Sequence, residues 1–435
     1  MLPVFEKTIA QVKEQCGFAG GAFIAIKDGE VVVKETFGVA DIETGRPITE
    51  DTIFDIASDS KCMTTSIISQ LCDEGKLDWD APVRKYYPEF FLENEVISEM
   101  MTLKDLASHR SGICSQNFPR RAPVESVGSR AEFIRRMKYL KMSKPFRDSF
   151  QYQNEYFALL GYVAELVTGQ TWEELVTERI AKRFDMDILF RGQKDPEDMD
   201  IAMPYSSEGT GVEPMARNIF GFNNPCGGAR TNLKSAERWL RMWMSGGMAP
   251  DGERFISQEM FTKMTTPISF WRDPKRVTSP DHFRCYGLGL APSVFRGRKL
   301  VYHGGSINGF RSAMGFFPEL NSGYFIMINS NCMPLAVLKV LLCDAALGIL
   351  QDDYTDLTDI YIKDWFKPST MPSKLTPELE ISAEEKAKCY GVWENGFYGR
   401  ITVSDGGENK LHFKFFKTEW DLPLRNVLPD GTLAF

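Results

Sequence analysis

The chain has 435 residues, 43% of them hydrophobic and 25% charged, the composition of a globular protein of one large domain or two smaller ones rather than a disordered or fibrous chain. Its 59 acidic side chains outnumber 51 basic ones, and the net charge of −8 without any basic block is the wrong sign for a nucleic-acid or anionic-membrane surface. Nine scattered cysteines without a CxxC pair argue against a disulfide framework or a zinc site and fit free thiols in a reducing compartment.

In chain order, Glu6, Lys7, Lys13 and Glu14 interrupt the N-terminal segment before an apolar run of secretory length forms, so a cytoplasmic protein is expected. Residues 4–15 have the spacing of an amphipathic helix. The runs 22–26 and 31–36 are strand-like and flank Asp28-Gly29, a strong hairpin signal. From 62 to 74, Met63, Ile67, Ile68 and Leu71 recur at helical spacing, and Gly75 ends the run. Residues 102–245 are mostly helical in pattern, notably 156–167 and 235–244, and strands return at 299–303, 312–317 and 323–328. A helix follows at 335–350. It and the stretch 157–167 are too short to span a bilayer and carry Glu165, Lys339 and Asp344, so no membrane association is expected. Residues 352–377, with Pro368, Pro372 and Pro377, read as a linker, and 391–435 alternates short strands with turn signals. Strands from both ends of the first 350 residues with helices between them predict an α+β fold, the N-terminal hairpin pairing with the strands near 300–328.

Three stretches carry chemistry. Ser58 and Lys61 form Ser-x-x-Lys immediately ahead of the helix at 62–74. If Ser58 opens that helix, the two side chains lie one turn apart on one face. A serine hydroxyl is a weak nucleophile until a base takes its proton, and a lysine is such a base only when burial or a second cation lowers its pKa. An N-cap serine beside a solvated lysine gives the same four letters, so the motif needs company. Tyr152 and Asn154 supply it: they point to one side if their segment is extended, and a phenol beside an ammonium can exchange protons. The third stretch is Val301-Tyr302-His303-Gly304-Gly305-Ser306, a strand ending in small residues where a substrate can approach and a backbone N–H can serve an oxyanion hole. Gly17, Gly20 and Gly21 make no phosphate loop, and His109, His282, His303 and His412 lack metal-ligand spacing, so no cofactor and no metal is expected.

Together and in this order the three stretches resemble the serine β-lactamase and penicillin-binding-protein superfamily, in its class C β-lactamase-like branch of esterases, D-aminopeptidases and acyltransferases. The connecting text matches too: Gly75-Lys76-Leu77-Asp78, the run from Met101 to Gly112, Gly227-Gly228-Ala229-Arg230 and Tyr286-Gly287-Leu288-Gly289. The resemblance implies a β-lactamase/transpeptidase-like fold, an antiparallel sheet flanked by helices with a helical subdomain. It implies a catalytic domain over 1–355, a linker over 356–377 and a small lipocalin-like β domain over 378–435, complete or abbreviated. By residue it implies Ser58 as the acyl-forming nucleophile, Lys61 as its polarising base and Tyr152 as the proton exchanger. Asn154, His303, Gly305 and Ser306 follow as substrate-binding positions, with the N–H groups of Ser58 and Ser306 as the oxyanion hole. His303-Gly304-Gly305 stands where true β-lactamases have Lys-Thr-Gly, so the fixed charge for a substrate carboxylate is lost or made pH-dependent. The expected function is therefore hydrolysis of an ester or amide, D-aminoacyl peptides included, in a small molecule or short peptide. An acyltransferase or peptide cyclase working through the same acyl-serine, and a silent binding protein of the same fold, are the alternatives, and the oligomeric state is left open. The loops 113–148 and 200–226 are expected to line the pocket, with Phe118, Phe220, Phe222 and Trp271 hinting at an apolar or aromatic acyl group.

Overall fold

The computed structural model describes residues 1–113, 129–207, 211–217, 221–271, 281–332, 336–366, 380–396, 399–415, 418–423, 426–427 and 433–434. The described elements that frame the site are α1 (Pro3–Cys16), β1 (Gly20–Lys27), β2 (Glu30–Asp41), α2 (Ser60–Asp73), α3 (Asn154–Thr168) and α4 (Leu233–Met244). They are followed by β3 (Ala291–Phe295), β4 (Arg298–Ile307), β5 (Phe310–Phe317), β6 (Ser322–Ile328), α5 (Val337–Leu347) and α6 (Thr355–Phe366). The chain divides into two compact units, one of Met1–Ser115 with Lys141–Trp365, the other of Gln116–Leu140 with Phe366–Phe435. All seven expected site residues fall in the first.

That first unit is built on an antiparallel sheet in which β3, β4, β5, β6, β1 and β2 are neighbours in that order. The β1–β2 hairpin turns at Asp28 and Gly29, whose φ angles of 52° and 87° are those a two-residue turn matching strand twist requires. As the strands at both ends of the first 350 residues implied, β1 closes against the distant strand β6, with Gly21 opposite Ile328 and Ile26 opposite Gly323. Helices cover both faces. Phe317 packs into a core with residues of α1 and α5, while its neighbour Phe316, turned to the other face, stacks on Trp243 of α4 at 5.6 Å. Burial on both sides is why β6 reads as an unbroken apolar run.

Helix α2 departs from its sequence pattern. Helical spacing of apolar residues suggested one buried face, yet eleven of its residues are buried, Ser60, Thr64, Thr65, Ser66 and Ser69 among them. The short hydroxyls make this possible by bonding back to carbonyls one turn earlier, Thr65 to Lys61 O at 3.1 Å and Ser66 to Cys62 O at 2.7 Å. A central helix buried along most of its length results, and Lys61 goes inside with it.

Helix α6 occupies the start of the segment read as a linker, and residues 367–379 of that segment lie outside the described residues. The second unit contains a helix, Ala383–Cys389, closed by a Ser382 and Glu385 capping box, and a four-stranded antiparallel meander of Gly391–Asn395, Gly399–Asp405, Lys410–Phe415 and Thr418–Pro423. A two-stranded pairing of Asn426–Val427 with Leu433–Ala434 follows. Among the described residues, no helix is long and apolar enough to cross a membrane.

Candidate active site

Ser58 does not itself open α2. It lies in a tight 3-10 turn, Ala57–Asp59, that leads into the helix. The turn is anchored on both sides. Ser60 Oγ donates to Ala57 O at 2.7 Å and accepts from Ala229 N–H at 3.0 Å, and Ile56 N–H donates to Ala229 O at 3.2 Å. Ala57 sits at φ 46°, a left-handed conformation costing a residue with a Cβ about 1–2 kcal/mol. The effect is to lift Ser58 out of its surroundings: it is half-buried while Ala57, Asp59 and Ser60 are buried.

Lys61 follows one turn later, and its ammonium reaches three oxygens: Ser58 Oγ at 3.1 Å, Asn154 Oδ1 at 2.8 Å and Cys226 O at 2.6 Å. The stem is enclosed by protein, with Tyr152 and Phe157 rings 4.8 and 5.2 Å from the nitrogen. Burial pushes its pKa down from the ordinary lysine value to about 8. The Cys226 carbonyl is held in place by its neighbours: Thr64 donates to Pro225 O at 2.7 Å, and Asn224 Nδ2 donates to Glu173 at 2.7 Å. Arg191, paired with Asp55 at 2.7 Å, also donates to Gly227 O.

Tyr152 donates to Ser58 Oγ at 2.9 Å, so phenol and ammonium converge on one hydroxyl. Burial holds that phenol well above its ordinary pKa. Tyr152 and Asn154 do come to one site, although only the residues up to Gln153 are extended; Asn154 is the first residue of α3. The bend between them is set by His109, a histidine whose spacing in the sequence gives it no role. Its Nδ1 accepts the Gln153 backbone N–H at 3.1 Å, and its ring lies 4.5 Å from that of Tyr152. Burial keeps this imidazole far below its ordinary pKa, so it stays a neutral acceptor.

On the opposite side β4 runs past the nucleophile turn. Gly305 is a necessity there, because a Cβ would collide with Ile56 O and Ser312 Oγ. β4 pairs with β3 only as far as Tyr302 and with β5 through Ile307, so from His303 onward one of its edges has no strand neighbour among the described residues. His303 and Gly305 are buried, while Gly304 and Ser306, pointing the other way, are exposed. His303 has both ring nitrogens engaged: Tyr286 Oη lies 2.7 Å from Nε2 and Gly304 O 2.9 Å from Nδ1. Since a carbonyl only accepts, the proton is on Nδ1 and Tyr286 donates to Nε2. Burial pushes this histidine down to about 3, so the position is uncharged over the working pH range rather than pH-switchable.

Beside the site, Phe150 joins Tyr152 to Trp271, which stacks on it at 5.0 Å, and the Arg284 guanidinium lies 4.9 Å from the Trp271 ring. Phe118 and Phe220 lie outside the described residues. His109, Tyr286 and the Cys226 carbonyl are the parts that sequence reasoning missed. Each stands inside or beside text that carried the resemblance, yet neither a buried histidine nor a backbone oxygen has a spacing signature.

The family model described as Beta-lactamase matches residues 5–338. Two Aspergillus relatives are each 25% identical: Unguisins hydrolase ungD' of A. campestris over 72% of this chain and 58% of its own length, and Unguisins hydrolase ungD of A. violaceofuscus over 90% and 75%. Protein flp of Staphylococcus aureus (strain MW2) is 22% identical over 72% of this chain and 60% of its own. The chain thus spans less than two thirds of the length of two of these three relatives. Among solved structures, the octameric penicillin-binding protein homologue from Pyrococcus abyssi superposes with a TM-score of 0.69 at 25% identity, covering 96% of this chain and 89% of that one.

Proposed function

The chain belongs to the β-lactamase family, and from that premise we propose that it hydrolyses an ester or amide bond through a covalent acyl-Ser58 intermediate. The observation that carries the reading is the convergence of Lys61 Nζ and Tyr152 Oη on Ser58 Oγ, at 3.1 and 2.9 Å. As an ammonium Lys61 spends its three protons on three acceptors. As an amine it keeps two for Asn154 Oδ1 and Cys226 O, and its lone pair faces the Ser58 hydroxyl. In this form Lys61 takes the Ser58 proton while Oγ adds to the substrate carbonyl carbon. The proton then reaches the leaving oxygen or nitrogen by way of the Tyr152 hydroxyl, and water repeats the sequence in reverse on the acyl-enzyme. The Ser58 N–H and the free edge of β4 at Ser306 serve the developing oxyanion, a contribution of about 3–4 kcal/mol for one donor.

Because His303 is neutral and occupied, the substrate needs no carboxylate beside the scissile bond. The Phe150 and Trp271 wall next to Tyr152 favours an apolar or aromatic group there, and the hydrolase names of the Aspergillus relatives favour water over an amine acceptor. The test is intact-protein mass spectrometry after brief exposure to a panel of p-nitrophenyl acyl esters. An added acyl mass in the wild type, absent in Ser58→Ala and largest for aryl acyl groups, is expected. Labelling that survives Ser58→Ala, or none across the panel, rejects the reading. Added amines in the same assay separate transfer from hydrolysis by the products formed.

A further inference from the structure

Asp59 stands between the nucleophile and its base in the chain, yet the reaction above makes no use of it. Its carboxyl is turned away from Ser58 toward the sheet and is almost entirely buried. Oδ2 lies 2.5 Å from Ser312 Oγ on β5, and Ser312 Oγ also lies 2.7 Å from Ile56 O, the carbonyl just before the nucleophile turn. A hydroxyl has one proton, and a carbonyl can only accept. Ile56 O also accepts the Asp59 N–H at 3.1 Å, but if Asp59 were a carboxylate the single Ser312 proton could lie in only one of the two short O···O contacts, and the other would press two oxygen lone pairs together with no proton between them. With a proton on Oδ2, the chain from Asp59 to Ser312 to Ile56 is satisfied at every link.

The charged and titratable groups around Asp59 leave no cation to hold it ionised. Lys61 on its own helix is committed to three other oxygens. His303 on β4 keeps its Nδ1 3.9 Å away and turns that proton to Gly304. Cys62, Tyr152 and Tyr286 are the other titratable groups within electrostatic reach, and all three are neutral. Oδ1 makes no full hydrogen bond; the Met314 backbone N–H and the more distant Lys61 charge favour the carboxylate, and burial outweighs both. We propose that Asp59 is kept as a neutral carboxylic acid whose proton, relayed through Ser312, ties the nucleophile turn to strand β5, making Asp59 a positioning residue for Ser58. Burial pushing this carboxyl up to about 8 accords with it.

The proposal rests on Ser58 as nucleophile, so its test has one arm that does not depend on activity. Infrared difference spectra of wild type against Asp59→Asn near neutral pH are expected to show a protonated-carboxyl C=O band that shifts in heavy water, and the same band is expected in the Ser58→Ala background. If Asp59→Asn does not fold, wild type against Ser312→Ala is expected to show that band displaced. No such band in either comparison overturns the proposal. In the kinetic arm, the amide of Asp59→Asn donates to Ser312 at every pH. Wild type is expected to show an alkaline fall in kcat/KM as ionised Asp59 releases the turn, and the variant is expected to lose it. Asp59→Ala is expected to lose on the order of 10²-fold throughout, the cost of a displaced reacting group. Asparagine as damaging as alanine across the pH range also overturns it. Loss of the Ser58 reading with the acid band intact would show the brace without the reaction.

Discussion

In the proposed reaction Lys61 can serve as a base because the fold denies it water. Its folded pKa of about 8 lies below the ordinary lysine value, so the amine fraction grows as pH rises through 8. Below that point kcat/KM for an activated ester is expected to fall about tenfold per pH unit, the slope of one protonation. Linkage has the same sign: above pH 8 the unfolded chain still holds a proton that the native lysine has lost, so this group adds stability until the ordinary lysine pKa is passed. Tyr152→Phe keeps the packing against His109 but removes the proton carrier, and a loss of kcat of about 10²–10⁴-fold with little change in melting temperature is expected from steady-state kinetics and thermal denaturation. At this scale the sequence was informative wherever a side chain acts on substrate. Ser58, Lys61, Tyr152 and Asn154 were singled out through the resemblance their motifs carry, and the structure links all four by hydrogen bonds. Asp59 and His109 were not, since what they touch, Ser312 and the Gln153 N–H, is reached only by folding.

Elements give the site its rigidity, and Gly305 shows how narrow the clearances are. Gly305→Ala would drive a methyl group into Ile56 O and Ser312 Oγ, forcing β4 and the nucleophile turn apart. A destabilisation of about 1–3 kcal/mol, measured by urea unfolding, is expected. A drop of on the order of 10² in kcat/KM should accompany it, because the displaced turn carries the nucleophile. Element boundaries followed local signals closely where those were chemical: Asp28-Gly29 for the hairpin and Gly75, at φ 72°, after α2. They were misjudged where tertiary packing decided. Asn154 begins a helix because His109 captures the amide before it, and α2 is buried along most of its length because its hydroxyls find carbonyls, Thr65 and Ser66 in its own backbone and Thr64 at Pro225. Helix α6 lies where prolines further on suggested a linker.

For the whole molecule, the pairing of β1 with the late strands was legible because strands lie at both ends of the first 350 residues with helices between them. The ion pair that clamps this sheet to α5 was not. Arg296, in the turn between β3 and β4, grips buried Asp344 at 2.5 and 2.7 Å, and Tyr354 donates to the same carboxylate at 2.6 Å. Asp344→Ala leaves a guanidinium and a phenol without their acceptor. A loss of about 3 kcal/mol, at the lower end for a broken buried pair because Arg296 is one-third exposed, is expected in urea unfolding.

The β1–β6 pairing also sets a schedule for the making of this protein. Gly21 cannot find Ile328 until the ribosome has released the intervening chain. At a synthesis rate of about 5–20 residues per second, the first hairpin waits on the order of fifteen seconds or longer with an apolar, unpaired edge. The nucleophile helix waits with it, since β4 and β5, which brace its turn, are made almost as late. A nascent chain of this kind depends on shielding while it grows, and a message broken before β6 yields a product with neither a core nor a site.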